Sequence, residues 1–523
     1  MYLFYSTSLL IALLLAGPYF FYQAYRYQKY WGSLAARLGY GLNFSLSSPC
    51  LLVHCVSVGE FLAAEPLLER LQAELPQYQL IISTTTATGQ ALAQKRAGQF
   101  AQICYFPLDF QFAVRRFLAA TQPTAIIIVE TELWPNFLHV AAQQHRPVII
   151  VNGRISPRSF RRYRWVQPLL PKILANVASF LMQTAEDAAR IRALGAPPAK
   201  VQVVGNIKYD LGSPAQLTRL DNIAAQLAQL LQLPRTQPVL VVGSTTDGEE
   251  AIVLAAYRQL CATPALANTL LILAPRHPER FETVANLLHQ QEFSFVRRSK
   301  LKFVDSKLRD LSATDLNSGD SNSIEQQFPE SPKSPEPKPS SALTVVELNS
   351  WEREPDKPET GKLATPDLKL DYSDRVKAEV ILCDTIGELA ALYRYADVVL
   401  VGGSLLPHGG HNILEPALYG RAVITGAHTN NFSKILADFR AAQAVVQLPP
   451  LVDQELSTAL AEHWRQLLLN PVARKTLGDN AQQVMCANRG AVARHLACIA
   501  TTLCAPSAQL TKAQSLIPPP EQP

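Results

Sequence analysis

The sequence predicts an α/β protein of two Rossmann-like parallel-sheet domains with a cleft between them, preceded by an N-terminal membrane helix. Three observations carry this prediction. The chain has 523 residues, and single hydrophobic cores stop growing near ~250–300 residues, so two domains are expected. From Leu51 onward, apolar runs rich in Val and Ile alternate with helical patterns, and the alternation starts afresh after residue 234. Strands buried on both faces and separated by helices form parallel, doubly wound sheets. Finally, residues 3–22 carry no charge, and a helix of that length spans ~30 Å, about one bilayer core.

Residues 1–30 form the predicted anchor. No Asp or Glu precedes Glu60, whereas Arg26, Lys29 and Arg37 all fall in that stretch. Phe4, Tyr5, Tyr19 and Tyr22 flank the apolar centre as interfacial aromatics do. A basic start and a small-residue cleavage site are both missing, which argues against a cleaved leader. Arg26 and Lys29 place the body on the cytoplasmic side by the positive-inside rule. Pro18 and the run Ser6, Thr7, Ser8 leave a helix lying in the membrane surface as the alternative.

The first α/β domain is expected over 31–212. Its strands read LLVHCVSV, QLIISTTT, AQICYFPLD, TAIIIVETELW, PVIIVNGR, SFLMQT and KVQVVGNIKYD, with helices opening near Glu60, around Gln90, and at FAVRRFLAA and FLHVAAQQ. A linker, 213–235, contains a helical stretch over 215–231. The second domain, 236–299 and 375–470, carries the strands PVLVVGSTT, TLLILAPRH, AEVILCDT, DVVLVGGS and RAVITG. Between its two parts lies 300–374, rich in Ser, Asp, Glu, Lys and Pro, with eight prolines between Pro329 and Pro366. That composition predicts a disordered insertion. Helices over 471–505 are expected to pack back across the halves, and a disordered tail follows at 506–523.

Composition excludes several classes. Hydrophobic residues make up 48% and charged residues 17%, which rules out a disordered chain or a coiled coil. The net charge of +5 is far from that of a polycation, and no nucleic-acid partner is expected. The eight cysteines form no C-x-x-C pair and no zinc spacing, so they read as reduced core residues. Neither an Asp-x-Asp metal motif nor a G-x-x-x-x-G-K-[ST] loop occurs. No cofactor and no metal is therefore expected, and cations would stabilise a departing nucleotide instead.

Four segments at strand ends carry candidate chemistry, because ligands of open α/β sheets sit at the C-terminal ends of strands. In Ser57-Val58-Gly59-Glu60, a carboxylate after a glycine turn suits a general base; favouring a helix dipole is the structural alternative. In Val129-Glu130-Thr131-Glu132-Leu133-Trp134-Pro135, two carboxylates follow a hydrophobic strand. Arg154, Arg158, Arg161, Arg162 and Arg164 follow the next one, a basic run suited to phosphates or anionic headgroups or simply to solvent. Gly205-Asn206-Ile207-Lys208 and Ala274-Pro275-Arg276-His277 each place a cation just past a strand, able to meet a phosphate or carboxylate. Gly402-Gly403-Ser404 with Gly409-Gly410-His411-Asn412-Ile413-Leu414-Glu415-Pro416 offers free loop amides to a phosphate and a glutamate, three residues into a helix, to ribose hydroxyls.

The segments HCVSVGE, STTTATG, VETELWPN, VNGRIS, VVGNIKYD, APRHPERF, DTIGELAALYRYADVVLVGGS and HGGHNILEPALYG resemble the 3-deoxy-D-manno-octulosonic acid (Kdo) transferases, in family order over 33–298 and 378–490. The resemblance implies an inverting glycosyltransferase of GT-B architecture. Such enzymes move Kdo from CMP-Kdo to a hydroxyl of a lipid A precursor, lipid IVA, releasing CMP at the cytoplasmic face of the inner membrane. It implies Glu60 as the general base, Glu130 and Lys208 as transition-state stabilisers, and CMP contacts from Pro275, Arg276, Ile386, Gly387, Glu388, Asn412, Ile413, Leu414 and Glu415. Ile413 stands where the family usually has Pro, and the 300–374 insertion is foreign to the family's short pattern. A related enzyme using another acidic sugar nucleotide, a nucleotide-sugar epimerase and a non-catalytic membrane scaffold are the competing readings.

Overall fold

The computed structural model describes residues 1–27, 31–211, 214–231, 233, 237–301 and 378–504; the predicted insertion beyond residue 301, parts of the linker and the 506–523 tail lie outside the described residues. Two helices, α1 (Tyr2–Tyr27) and α2 (Trp31–Arg37), precede the first sheet. Then β1 (Cys50–Cys55), α3 (Val58–Glu74), β2 (Gln79–Thr84), α4 (Ala87–Ala97), β3 (Ala101–Tyr105), α5 (Gln111–Thr121), β4 (Pro123–Val129), α6 (Pro135–Gln143), β5 (Val148–Gly153), α7 (Pro157–Arg164), α8 (Leu170–Leu174), β6 (Ser179–Met182), α9 (Ala185–Ala193) and β7 (Val201–Val203) follow. The strands pair in parallel in the order β3-β2-β1-β4-β5-β6-β7.

Helix α10 (Pro214–Leu231) leads to the second sheet: β8 (Val239–Thr245), α11 (Glu249–Cys261), β9 (Leu270–Pro275), α12 (Phe281–Gln290), β10 (Phe295–Arg297), β11 (Val380–Leu382), α13 (Leu389–Leu392), β12 (Val398–Val401), α14 (Leu414–Leu418), β13 (Ala422–Thr425), α15 (Ser433–Ala441) and β14 (Val446–Gln447). Its parallel order is β10-β11-β9-β8-β12-β13-β14. Helices α16 (Asp453–Leu469), α17 (Pro471–Asn488) and α18 (Ala491–Cys504) end the described chain.

The central strands are apolar throughout and buried on both faces, as in β1 and β4, where Leu51, Leu52, Ile126 and Ile127 have no exposed surface. Two layers of helices therefore flank each sheet. The helix starts are set by side chains: Ser57, Thr86, Ser156 and Thr184 cap α3, α4, α7 and α9 by accepting a backbone N–H three residues on. The strand order reverses at the centre of each sheet, between β1 and β4 and between β8 and β12. These reversals open crevices at the strands' C-terminal ends.

Helix α18 returns to the first domain. Val492, Leu496 and Ile499 share a core with Leu51, Phe61 and Ile82. The buried His495 is a neutral bridge. Its Nε2 accepts the Asn152 N–H at 3.0 Å while Nδ1 lies 2.8 Å from the Ala491 carbonyl. Burial pushes this imidazole down to about 4.

Several expectations are corrected. The strand expected through KVQVVGNIKYD is three residues long. Gly205 adopts a left-handed backbone, and Asn206 caps a 3-10 turn over Ile207–Tyr209 through the Lys208 N–H. The basic run, for which no element was expected, forms α7, helped by Ser156 at its cap and Pro157 at its first position. Cys50, Cys55, Cys104 and Cys383 are buried, but Cys486 and Cys504 are exposed. Among the described residues no helix is long and apolar enough to cross a membrane, so the membrane helix expected over 1–30 is not found as such. Polar side chains of α1 are committed to the body instead. Tyr2 stacks on His139 at 3.8 Å, and Ser6 accepts a hydrogen bond from Asn136 at 2.9 Å.

Candidate active site

The crevice between β1 and β4 gathers the first group of predicted residues. Glu60 lies in the first turn of α3, and its Oε2 accepts the Val56 N–H at 2.7 Å, which aims the carboxyl back over the end of β1. Burial pushes it up to about 7, with the neighbouring Glu130 and Glu132 adding to the rise; the Val56 N–H and the Arg154 charge oppose it. A carboxyl near neutrality is what a base operating at physiological pH requires.

Glu130 follows β4 directly and is 7% exposed. Its backbone sits at φ 61, a left-handed conformation uncommon for a residue with a Cβ. That turn points the carboxylate sideways into two cations: Arg154 Nε donates to Oε2 at 2.7 Å and Lys208 Nζ to Oε1 at 3.2 Å. Three strand ends thus supply one ion cluster. Asn152, also left-handed at φ 54, locks two of them, because its Oδ1 accepts the Ile207 N–H at 3.1 Å. Sequence reasoning named Asn152 only as part of a motif. Arg158, Arg161 and Arg164 lie on the exposed helix α7, outside this ion cluster.

The second group lies where β8, β9 and β12 end. Pro275 closes β9, and the Arg276 N–H donates to the Thr245 carbonyl at 2.9 Å. Asn412 Nδ2 donates to Glu415 Oε1 at 3.1 Å, and Asn412 Oδ1 accepts the Leu414 N–H. Burial raises the Glu415 carboxyl; the Asn412 hydrogen bond and the Arg276 charge pull against it. Ile413 and Leu414 are buried, so these two shape the loop rather than present side chains. Gly387 turns at φ 89 between the exposed Ile386 and Glu388, which accepts from Arg298 at 2.6 Å and from Thr385.

Two expectations about the glycine-rich segment change. Helix α14 has five residues and begins at Leu414, so Glu415 stands in its first turn and the helix dipole is small. The amides of Gly403, Ser404 and Leu405 are not free: all three donate to Glu249, a residue that sequence reasoning missed. The signal was present as paired acids, Glu249 and Glu250, opening the helix after β8.

The two groups border one cleft. Asn431 donates its backbone N–H to the Gly409 carbonyl at 2.9 Å. One turn on, Lys434 of α15 reaches across to Thr184 at 2.6 Å and to Asp187 of the first domain. Asp187 in turn accepts the N–H of Ile155, next to Arg154. Beside Lys208, the Tyr209 hydroxyl donates to Asp438 at 2.8 Å.

The sequence pattern of a family described as 3-Deoxy-D-manno-octulosonic-acid transferase (kdotransferase) matches residues 32–211. The chain is 32% identical over 495 residues to the 3-deoxy-D-manno-octulosonic acid transferase of Haemophilus influenzae, across 94% of this chain and 96% of that one. The chain belongs to the 3-deoxy-D-manno-octulosonic acid transferase family. A second Kdo transferase, from Bordetella pertussis, is 31% identical over 452 residues, 85% of each chain. Among solved structures, UDP-GlcNAc 2-epimerase from Neisseria meningitidis covers 87% of this chain and 99% of its own at a TM-score of 0.50 and 12% identity. That likeness is one of fold: two parallel-sheet domains of GT-B-like arrangement. This Kdo transferase is accordingly a glycosyltransferase that transfers Kdo in lipopolysaccharide biosynthesis.

Proposed function

We propose that the Kdo donor is CMP-Kdo, that the acceptor is a hydroxyl of a lipid A precursor, lipid IVA, and that transfer inverts the anomeric centre in a single displacement. The observation that carries this reading is the Glu60 carboxyl, held at about 7 beside an ion cluster in the crevice of the first domain. Glu60 takes the hydroxyl proton as the acceptor oxygen bonds to the anomeric carbon. The bond from that carbon to the phosphate oxygen breaks, and CMP leaves with the bonding pair. Lys208, steadied by Glu130, offers positive charge where negative charge develops. Arg276 faces the nucleotide phosphate, Asn412 and Glu415 its ribose, and Ile386 lies open to its base.

The body is proposed to work on the cytoplasmic face of the inner membrane. Support comes from α1, which turns Leu3, Phe4, Leu10, Ile11, Leu14 and Leu15 to the outside while its polar face is tied to the first domain. Such a helix lies in the membrane surface and holds the cleft close to a lipid acceptor. The arginines of α7, exposed along with Trp165, suit the acceptor's phosphates. Purified protein incubated with CMP-Kdo and lipid IVA should yield a lipid heavier by whole Kdo residues, read by mass spectrometry, together with CMP. An unmodified lipid, with turnover only from another nucleotide sugar, would overturn the donor and acceptor assignment.

A further inference from the structure

Glu249 opens α11 behind the donor crevice and has no exposed surface. Its Oε1 accepts the N–H groups of Ser404 and Leu405 at 2.9 and 2.8 Å. Its Oε2 accepts those of Gly403 and Thr246 at 2.7 and 2.9 Å and the Thr246 hydroxyl at 3.0 Å. Five donors meet one carboxylate, and among the described residues no cation forms an ion pair with it. A buried charge is costly unless hydrogen bonds replace its water, and here the replacement comes largely from the backbone of one loop.

We propose that Glu249 is the positioning residue of the donor site, fixing the 402–405 loop so that His411, Asn412 and Glu415 are presented to the nucleotide; this rests on the reading of that crevice as the CMP site. The loop is pressed against β8: a Cβ on Gly402 would lie 2.6 Å from the Ser244 carbonyl oxygen, which leaves the loop no lateral freedom on that side. With its amides tied to Glu249, Gly403 holds a left-handed φ of 67 and turns its carbonyl to the Gly410 N–H at 2.6 Å. The His411 ring packs over Gly403, where an added Cβ would come within 2.6 Å of the ring. The residues that follow His411 are Asn412 and Glu415, the ribose pair. Glu250 holds the other arm in parallel. It accepts the Thr245 hydroxyl at 2.7 Å and pairs with Arg280 at 2.6 Å, and the Thr245 carbonyl anchors Arg276. The first two residues of α11 thus join both halves of the donor crevice.

Glu249→Gln keeps size but turns an amide NH2 toward backbone N–H groups, so the loop loses its shape. With the full chain in detergent, CMP affinity by calorimetry and separate KM values for donor and acceptor test the inference. The control is Val253→Ala, a core truncation on the same helix away from the loop, compared at a temperature where both variants are folded. Glu249→Gln should weaken CMP binding and raise the donor KM at least tenfold, leaving the acceptor KM within twofold, while Val253→Ala leaves CMP affinity within twofold. Wild-type CMP affinity in Glu249→Gln, or an equal loss in Val253→Ala, would overturn the assignment. Should Glu249→Gln not fold, Thr246→Val removes one of the five donors, and an unchanged CMP affinity there would contradict the inference. If the wild type itself binds no CMP, the donor reading fails first, and this one with it.

Discussion

At the scale of single residues, two carboxyls close in space behave differently because their surroundings differ. Glu130 has two cations in contact, whereas Glu60 accepts one backbone N–H, is partly buried, and has two acids and the more distant Arg154 charge around it. The rate of transfer should therefore rise with pH along a limb centred near 7, where Glu60 loses its proton. Removing the Arg154 charge by Arg154→Ala should move that limb to higher pH, because Arg154 favours the ionised form; a limb that stays put or moves down would contradict this. The same shift links to stability. A carboxyl raised in the folded state holds its proton more tightly there than in the unfolded chain. Its favourable contribution is complete below the ordinary carboxylate value and lost as pH rises through about 7. Glu60→Gln, which resembles the protonated form, should melt higher than wild type at pH ~8 and no higher at pH ~4, measured by calorimetry. Glu130 and Arg276 were legible in the sequence because each directly follows a strand, and Glu60 and Lys208 because each lies in the turn or helix start a few residues past one. Glu249 was not, since its role depends on a loop more than 150 residues away in sequence.

At the scale of elements, the long Val/Ile-rich strands were legible and the edges were not. Strands β10 and β14 have three and two residues, too few for a period to register. The basic run was open to phosphates or to solvent because arginines dominate it; its cap, its first proline and the pair Phe160 and Tyr163, which packs on the first core, define α7. The predicted insertion begins soon after β10 and ends just before β11, which is its parallel neighbour in the sheet. A parallel crossover needs a dozen or more residues, and longer loops add only ~0.6 kcal/mol per doubling of length. Replacing 303–372 by a Gly/Ser linker of about ten residues keeps enough chain for that crossover. The shortened protein should keep its melting temperature and its transferase turnover. Unfolding of the second domain on deletion would show that the segment contributes to the core.

At the scale of the whole molecule, labour is divided between domains. The proposed base and its ion cluster belong to the first sheet and the proposed donor loops to the second, with Lys434, Asp438 and helix α18 tying the halves together. The two-domain plan was legible from the restart of the β-α pattern. The bridges were not, because a lysine–aspartate contact across a cleft leaves no trace in local sequence. This division makes the central claim separable by experiment: Glu60 acts on the acceptor and takes no part in holding the nucleotide. The most direct test measures turnover and CMP affinity together on purified Glu60→Gln, with CMP-Kdo and lipid IVA as substrates. The prediction is a kcat lower by roughly 10²–10⁴ with CMP affinity unchanged. Near-normal turnover, or a loss of CMP binding that matches the loss of rate, would contradict it.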